Sequence, residues 1–310
     1  MREAYTFPST DGSTVIHAVR WMPENGSIRA ILQIAHGMIE HIERYGEFAN
    51  YLTTMGFLVI GHDHIGHGRS VETAADWGFL PPKNGDVIMV EDLHRHRLLV
   101  QEKYPDLPFF MLGHSMGSYV LRRYLADYGE GLSGAILMGT GFVPGMAARS
   151  GIALCHAMAK GTGWHHRSRL VTGMTFGKEY RDFDMNGEDP SNSWLSRDVE
   201  MVKKNLSDPA CRYLFTLGGY LALFRTVLFD SHQKNADAIP GSLPLLLVSG
   251  DRDPVGSFGK GVRRVEGMLR KVDRQDLTCR LYEGCRHEIL NELNRQEIYE
   301  DLRDWMEARM

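Results

Sequence analysis

The sequence predicts an α/β protein with a mostly parallel central sheet, helices on both faces and an inserted helical cap. Short apolar runs closed by Gly, His or Asp alternate with longer segments whose apolar residues recur at three-to-four spacing. Two extended stretches within residues 5–21 flank Thr10-Asp11-Gly12, which predicts an initial antiparallel hairpin. The alternation then stops for about 100 residues after Met138, which indicates an insertion.

The apolar runs are typical of strands buried on both faces, and their order with the helical segments predicts parallel pairing with right-handed crossovers. The predicted strands cover residues 30–35, 57–61, 109–113, 134–138, 243–248 and 277–282. The predicted helices cover residues 42–55, 87–103, 117–127 and 296–308.

The insertion is rich in Met and contains Trp164, Trp194 and an amphipathic stretch at 214–228. We expect a helical cap over the carboxyl edge of the sheet, where open α/β sheets bind ligands. The expected division is a core at 1–142, a cap at 143–240 and the rest of the core at 241–310. An ordinary second packing layer without function is the alternative.

Composition excludes several classes of protein. Lys and Arg number 35 and Asp and Glu 39, a net charge of −4, so nucleic acid is not an expected partner. The N-terminal residues lack a basic start followed by an apolar stretch, and no run reaches the length of a membrane span. We therefore expect a cytoplasmic protein without stable membrane insertion. The spacing of the cysteines argues against a zinc knuckle or a disulfide framework; they are Cys155, Cys211, Cys279 and Cys285.

A candidate nucleophile lies between a predicted strand and a predicted helix, in Gly113-His114-Ser115-Met116-Gly117. This is the context of a nucleophile elbow, a turn so tight that side chains two residues before and after the serine would collide with backbone. The alternative is a glycine-rich turn that carries an incidental hydroxyl.

A serine nucleophile needs a histidine base and a carboxylate that orients it. Asp253 and Asp251 both follow the strand predicted at 243–248, and we prefer Asp253 because Pro254 stiffens its loop. Asp251 is expected to cap the turn. His287 follows the last predicted strand and completes the order Ser, Asp, His.

An oxyanion also needs two backbone donors. The N–H of Met116 is expected to be free at a helix N-terminus. The second donor is predicted at Met38, in a loop that Gly37 allows to pass close by.

Three motifs resemble the monoacylglycerol lipase and lysophospholipase branch of the α/β-hydrolase superfamily. They are His-Gly-Met-Ile-Glu-His-Ile-Glu-Arg-Tyr at 36–45, Asp-His-Ile-Gly-His-Gly-Arg-Ser at 63–70 and the elbow at 113–117. The resemblance covers roughly residues 1–140 and 240–310, and the cap is not matched in detail.

The resemblance implies an α/β-hydrolase fold and a serine esterase that works through an acyl-enzyme without a cofactor or metal. Its substrate would be a small acyl ester of the monoacylglycerol or lysophospholipid type, with transient membrane contact through the cap as a further expectation. It also suggests that Glu40 and Arg44 lie near the polar head of the substrate; the alternative is an i, i+4 ion pair that opens a helix. The implied site comprises the triad Ser115, Asp253 and His287 and the oxyanion donors Met38 and Met116.

Four other functions compete with this interpretation. A metal hydrolase could use the three imidazoles and the carboxylate within residues 61–67, although side chains leaving a strand alternate in direction. A binding module could carry the triad incidentally. A short-chain carboxylesterase or a serine aminopeptidase would share the triad. An aminopeptidase would need an acidic group in the cap, for which the candidates are Glu179, Asp182, Asp184, Glu188 and Asp189.

Overall fold

A computed structural model describes residues 1–272, 274 and 276–310. These residues form an eight-stranded sheet of order β1-β2-β4-β3-β5-β6-β7-β8. The strands are β1 (Arg2–Pro8), β2 (Val15–Trp21), β3 (Ala30–Ala35), β4 (Phe57–His62), β5 (Phe109–His114), β6 (Gly134–Met138), β7 (Leu245–Gly250) and β8 (Leu277–Tyr282).

The sheet is antiparallel at one end and parallel elsewhere. β1 pairs with β2 and β2 with β4 in antiparallel register, and the other five pairings are parallel. The predicted initial hairpin and the predicted parallel core are therefore confirmed. Every residue of the five strands from β3 to β7 is buried, because helices cover both faces.

Ten described α-helices surround the sheet. They are α1 (Gly46–Thr54), α2 (Gly85–Gln101), α3 (Met116–Tyr128), α4 (Gly145–Thr162), α5 (Arg169–Thr175), α6 (Val199–Ser207), α7 (Leu217–Asp230), α8 (Gln233–Asp237), α9 (Lys260–Leu269) and α10 (Arg295–Glu307). Side chains of α1 and α10 pack on one face of the sheet, and side chains of α2, α3 and α9 pack on the other.

Two helical regions differ from the prediction. The helix predicted over 42–55 is a 3₁₀ turn at Ile42–Tyr45 followed by α1. The Asp63 carboxylate accepts the N–H of Ile42 at 2.8 Å and so fixes the start of this turn. Helix α9 was not predicted, although its buried Val262, Val265 and Leu269 show the same three-to-four spacing as the predicted helices.

The segment at 143–240, which we call the cap segment, contains α4 to α8 between β6 and β7. Helices α4 and α7 pack closely: a Cβ on Gly151 would lie 2.7 Å from the ring of Phe224. The division at 142 and 240 stays a prediction. No helix of the described residues is long and apolar enough to cross a membrane.

Parallel pairing determines where the loops go. The loops after β3, β5, β7 and β8 all leave the same edge of the sheet, because these strands point the same way. Met38, Ser115, Asp253 and His287 lie on these four loops. The topology therefore brings distant stretches of sequence to one edge.

Candidate active site

Ser115 lies on a strained turn between β5 and α3. Its backbone angles are φ 53° and ψ −120°, so it has positive φ, which is uncommon for a residue with a side chain. The N–H of Ser115 donates to the Met138 carbonyl at 2.9 Å and ties the turn to β6. The turn has the strained strand-to-helix geometry expected of a nucleophile elbow.

The glycines on either side of Ser115 are required by close packing. A Cβ on Gly113 would lie 2.4 Å from the carbonyl oxygen of Gly117, and a Cβ on Gly117 would lie 2.1 Å from that of Ala35. Neither gap would admit a side chain. The structure therefore confirms the prediction that a side chain at either position would collide with backbone.

Asp253 and His287 form a buried hydrogen-bonded pair. The Nδ1 of His287 donates to Oδ2 of Asp253 at 2.9 Å, and both side chains are almost fully inaccessible. Ser249 Oγ donates to the same carboxylate oxygen, and the N–H of Val255 donates to the other, each at 2.8 Å. The carboxylate is held from three directions, so it fixes the orientation of the imidazole.

Asp251 is used differently. Its Oδ1 accepts the N–H of Gly284 at 2.8 Å, and its side chain is 37% exposed. Of the two candidate carboxylates, Asp253 is the one that bonds His287, and Asp251 links the turns after β7 and β8.

No hydrogen bond joins Ser115 to His287, but the ring of His114, the residue before Ser115, lies 4.7 Å from the ring of His287. A Cβ on Gly139, the residue after Met138, would lie 3.0 Å from Cε1 of His287. Within the described residues, Nε2 of His287 is buried and has no hydrogen-bond partner. This nitrogen is therefore available to accept a proton.

The two predicted oxyanion donors flank the serine. The N–H of Met116 and the N–H of Met38 donate to no protein group in the described part of the chain. The loop of Met38 passes close to the nucleophile, since a Cβ on Gly37 would lie 3.1 Å from Cβ of Ser115. Two free N–H groups therefore lie on loops that meet at Ser115, as an oxyanion hole requires.

A network of buried charges supports this edge of the sheet. Glu40 accepts hydrogen bonds from Nδ1 of His114 at 3.0 Å, from the hydroxyl of Tyr45 at 2.9 Å and from Arg44 at 2.7 Å. Arg44 also makes two hydrogen bonds of 2.7 Å to Glu288. His114 precedes the serine and Glu288 follows His287, so the network connects the two loops of the site.

The negative charges of Glu40 and Glu288 in this network are balanced by the positive charges of Arg44 and His114. Burial disfavours every charged form here, but contacts of opposite charge outweigh burial. The hydrogen bond and the charge of His114, together with Arg44, hold the pKa of Glu40 well below its usual value. Arg44 likewise lowers the pKa of Glu288, and Glu40 raises that of His114. Both carboxylates are therefore ionised near neutral pH, and a proton on His114 is favoured.

This geometry favours the ion-pair interpretation of Glu40 and Arg44 over contact with a substrate head group. Glu40 is 4% exposed, and protein groups bond both of its carboxylate oxygens. Sequence reasoning missed the parts played by His114 and Glu288. Their position directly beside Ser115 and His287 was the only signal available.

Part of the cap segment covers the histidine. The ring of Trp194 lies against that of His287, with centroids 5.0 Å apart, and its carbonyl accepts the His287 N–H at 3.4 Å. The N–H of Glu288 donates to the Leu195 carbonyl at 2.7 Å, and Arg286 donates to three carbonyls within 191–196. Hydrogen bonds from the loop after β8 therefore hold Trp194 of the cap segment in place, where it shields the imidazole from water.

The histidines at 61–67 do not converge on a metal site in the described part of the chain. Their rings pack with two other imidazoles at centroid distances of 4.4–5.2 Å for the closest pairs, and the Asp63 carboxylate accepts the N–H groups of Ile42 and Arg69. Burial lowers the pKa of His64 to about 3, of His67 to about 4 and of His96 to about 3. The cluster is thus a neutral packing layer beside the loop of Met38; its members are His36, His62, His64, His67 and His96.

The fold and the site define an α/β-hydrolase. The family described as serine aminopeptidase, S33, matches residues 26–294, and the chain belongs to that family. The chain is 29% identical to a monoacylglycerol lipase of Mycolicibacterium smegmatis over 313 residues, covering 100% of this chain and 98% of the relative. It is 28% identical to the monoglyceride lipase of Mus musculus over 294 residues, covering 94% and 86%.

Solved structures agree with this assignment. A thermostable carboxyl esterase from Bacillus coagulans, in complex with glycerol, matches with a TM-score of 0.88 and 31% identity over 99% of this chain and 98% of that one. A soluble variant of the Saccharomyces cerevisiae monoglyceride lipase matches in fold, with a TM-score of 0.76 and 18% identity over 99% and 95%. The predicted α/β-hydrolase fold and the resemblance to the monoacylglycerol lipase branch are confirmed.

The buried imidazoles predict a loss of stability in mild acid. Because the pKa of His64 is lowered in the folded protein, the unfolded chain binds the proton first as pH falls. This contribution to stability is complete above about pH 6.5 and declines toward about pH 3. We expect His64 alone to lower the free energy of unfolding by about 2 kcal/mol between pH 7.5 and 5.0.

Urea unfolding at the two pH values measures this loss. His64→Leu removes the titrating group and should reduce the loss by about 2 kcal/mol. His166→Leu, at an exposed histidine, is the control and should leave the loss unchanged. Equal pH dependence in wild type and His64→Leu would contradict the prediction.

The charge network predicts that Arg44 is structural. Arg44→Met leaves two buried carboxylates without their shared cation, so we expect the free energy of unfolding to fall by about 3–5 kcal/mol. Arg29→Met, which removes an ion pair with Glu307 from the surface, should cost less than about 1 kcal/mol. A raised KM in Arg44→Met with no more destabilisation than Arg29→Met would instead favour a substrate contact.

Proposed function

We propose that this protein is a serine hydrolase that cleaves carboxylic esters of single-chain lipids, of the monoacylglycerol or lysophospholipid type, through an acyl-enzyme. The observation that carries the proposal is the buried Asp253–His287 pair, whose free Nε2 lies at the sheet edge where Ser115 occupies its left-handed turn. The lipase and esterase names of the relatives support the same reaction class.

In the proposed acylation, Ser115 Oγ attacks the ester carbonyl carbon while Nε2 of His287 takes the hydroxyl proton. Asp253 stabilises the resulting imidazolium. The N–H groups of Met38 and Met116 donate to the oxyanion. The carbon–oxygen bond to the alcohol then breaks, and His287 returns its proton to the departing alkoxide.

Deacylation repeats these steps with water as the nucleophile. His287 takes a proton from water, the hydroxide adds to the acyl carbon, and the same two N–H groups stabilise the second oxyanion. Collapse breaks the bond to Ser115 Oγ, which recovers its proton from His287. The named side chains and backbone N–H groups, together with this water, supply every step.

The cap segment supports an acyl substrate. Phe176 and Tyr180 pack with Trp194, which lies against His287, so an apolar wall adjoins the reacting atoms. Burying an acyl chain against such a wall contributes about 0.8 kcal/mol per methylene group. A substrate with a long acyl chain would therefore bind mainly through that chain.

The aminopeptidase alternative is less well supported by the cap residues. Asp184 accepts the N–H groups of Asn186 and Asp189, and Asp189 caps the turn at Pro190–Asn192. Two of the five acidic candidates are therefore used to hold their own loop. Such loop contacts compete with the binding of a substrate ammonium group.

The cap segment is also the part of the molecule that we propose contacts a lipid surface transiently. Met146, Leu170 and Met174 are 78%, 60% and 56% exposed, and all three lie on α4 or α5. A single-chain ester would be taken up from a lipid surface on this side. The cytoplasmic location stays a prediction.

Substitution of the triad tests the proposed chemistry. Ser115→Ala and His287→Ala should each lower kcat on a monoacylglycerol by about four orders of magnitude or more, because each removes a step of acyl transfer. Ser207→Ala, an exposed serine of the cap segment, should retain wild-type kcat. More than a tenth of wild-type kcat in Ser115→Ala, or loss of folding in His287→Ala, would contradict the assigned roles.

A substrate panel tests the proposed specificity. The value of kcat/KM should rise with acyl length across glycerol monoesters, as methylene groups become buried, and aminoacyl anilides should be the poorest substrates. Lysophosphatidylcholine and short p-nitrophenyl esters complete the panel. A preference for aminoacyl anilides would favour the aminopeptidase, and a maximum at acetate or butyrate would favour the short-chain carboxylesterase.

A further inference from the structure

A second group of reactive side chains lies where the cap segment contacts the core. Among the described residues, His41, Asp208 and Cys211 form the one cluster of metal-ligating groups whose donor atoms all lie within 4.8 Å of one another. His41 follows the loop of Met38, and the other two residues belong to the turn after α6. The proposed reaction uses none of the three.

The donor set and its spacing suit zinc. Imidazole nitrogen, carboxylate oxygen and thiolate sulfur bind Zn²⁺ at about 2.0–2.3 Å, which separates the donors of a tetrahedral site by about 3.3–3.7 Å. His41 Nε2 and Asp208 Oδ2 are 2.8 Å apart, and the largest donor separation is within 4.8 Å. One separation is shorter than a tetrahedral zinc site requires and none exceeds 4.8 Å, so side-chain movements of about 1 Å would bring the three donors to the required spacing.

An unsatisfied group beside the cluster is the second observation. The hydroxyl of Tyr213 is buried and has no hydrogen-bond partner among the described residues. Tyr213 stands two residues after Cys211 in the chain. A buried hydroxyl without a partner needs an explanation, and a water or ion bound at the nearby cluster would supply one.

The surroundings tolerate a cation and allow it to enter. The positive charge of Arg44 acts on both Cys211 and Asp208 and would disfavour a cation there. Glu40 and Glu288 already neutralise this charge through ion pairs with Arg44. Asp208 keeps 37% of its side chain exposed and His41 keeps 15%, so an ion can reach the donors from solvent. Cys211 lies deeper and is 8% exposed.

We propose that His41, Asp208 and Cys211 bind one Zn²⁺ ion that fastens the cap segment to the core. Binding releases the thiol proton of Cys211 to solvent, and the proton that His41 Nε2 shares with Asp208 leaves that nitrogen for Nδ1 or for solvent. The ion plays no part in the proposed ester hydrolysis. It stabilises the folded chain by binding a site that the unfolded chain does not form.

Zinc titration of chelator-treated full-length protein, read by competition with a chromogenic indicator at pH 7.5, tests the proposal. Wild type should bind one ion per chain, and its melting temperature should rise by several degrees with zinc at one hundred times its Kd. Cys211→Ser and Asp208→Asn should each weaken binding at least tenfold; the asparagine keeps the cap on the Pro209–Cys211 turn. Cys155→Ser, at a buried cysteine of α4, is the matched control and should bind as wild type does.

Cobalt provides a signature that a surface site would not give. With Co²⁺ in place of zinc, wild type should show a thiolate-to-metal charge-transfer band, and this band should be absent from Cys211→Ser. Metal-free melting temperatures of all variants verify that they are folded. No binding by wild type, or equal affinity in wild type and Cys211→Ser, which means adventitious binding only, would overturn the proposal.

Discussion

The left-handed backbone of Ser115 is the constraint on which the rest of the site depends. A side chain at positive φ is held there only when its surroundings leave no alternative, and such strain costs about 1–3 kcal/mol. Here α3 meets β5 at Gly113 and β3 at Gly117 without room for a Cβ, while β6 holds the serine N–H. The turn therefore presents the hydroxyl at the carboxyl edge of the sheet, where the other loops converge.

The other side chains of the site are fixed by buried charge. A carboxylate removed from water is stable only when donors and cations replace its hydration, and both Asp253 and Glu40 meet that requirement with three or more contacts. Asp253 orients His287, and Glu40 orients the residue before Ser115. The site is therefore rigid around the atoms proposed to react, while the Nε2 of His287 stays free.

Much of the fold and of the candidate site could be predicted from the sequence, because the signals are local. The strands carry continuous apolar runs, Gly113 and Gly117 flank the serine, and Asp253 and His287 each follow a strand in the expected chain order. Known rules of crossover handedness and strand adjacency then predict how these elements connect into the fold.

The rest could not be predicted because it arises from contacts between residues far apart in the chain. Trp194 lies 93 positions before His287, in a segment without a recognisable motif, and Arg44 reaches Glu288 over a separation of 244. The sequence also directed attention to the histidines at 61–67 as the metal candidate. Within the described residues, the three donors spaced closely enough to hold a metal ion are those of His41, Asp208 and Cys211, which only folding brings together.

Labelling with a fluorophosphonate tests the central claim most directly, since the probe phosphonylates only a serine activated by a neighbouring base. The account predicts one label per chain, located on Ser115 by peptide mass spectrometry, with esterase activity lost in proportion to labelling. In His287→Ala the rate of labelling should fall by about two orders of magnitude or more, because the general base is gone. Labelling at another residue, or full activity in a chain labelled at Ser115, would contradict the account.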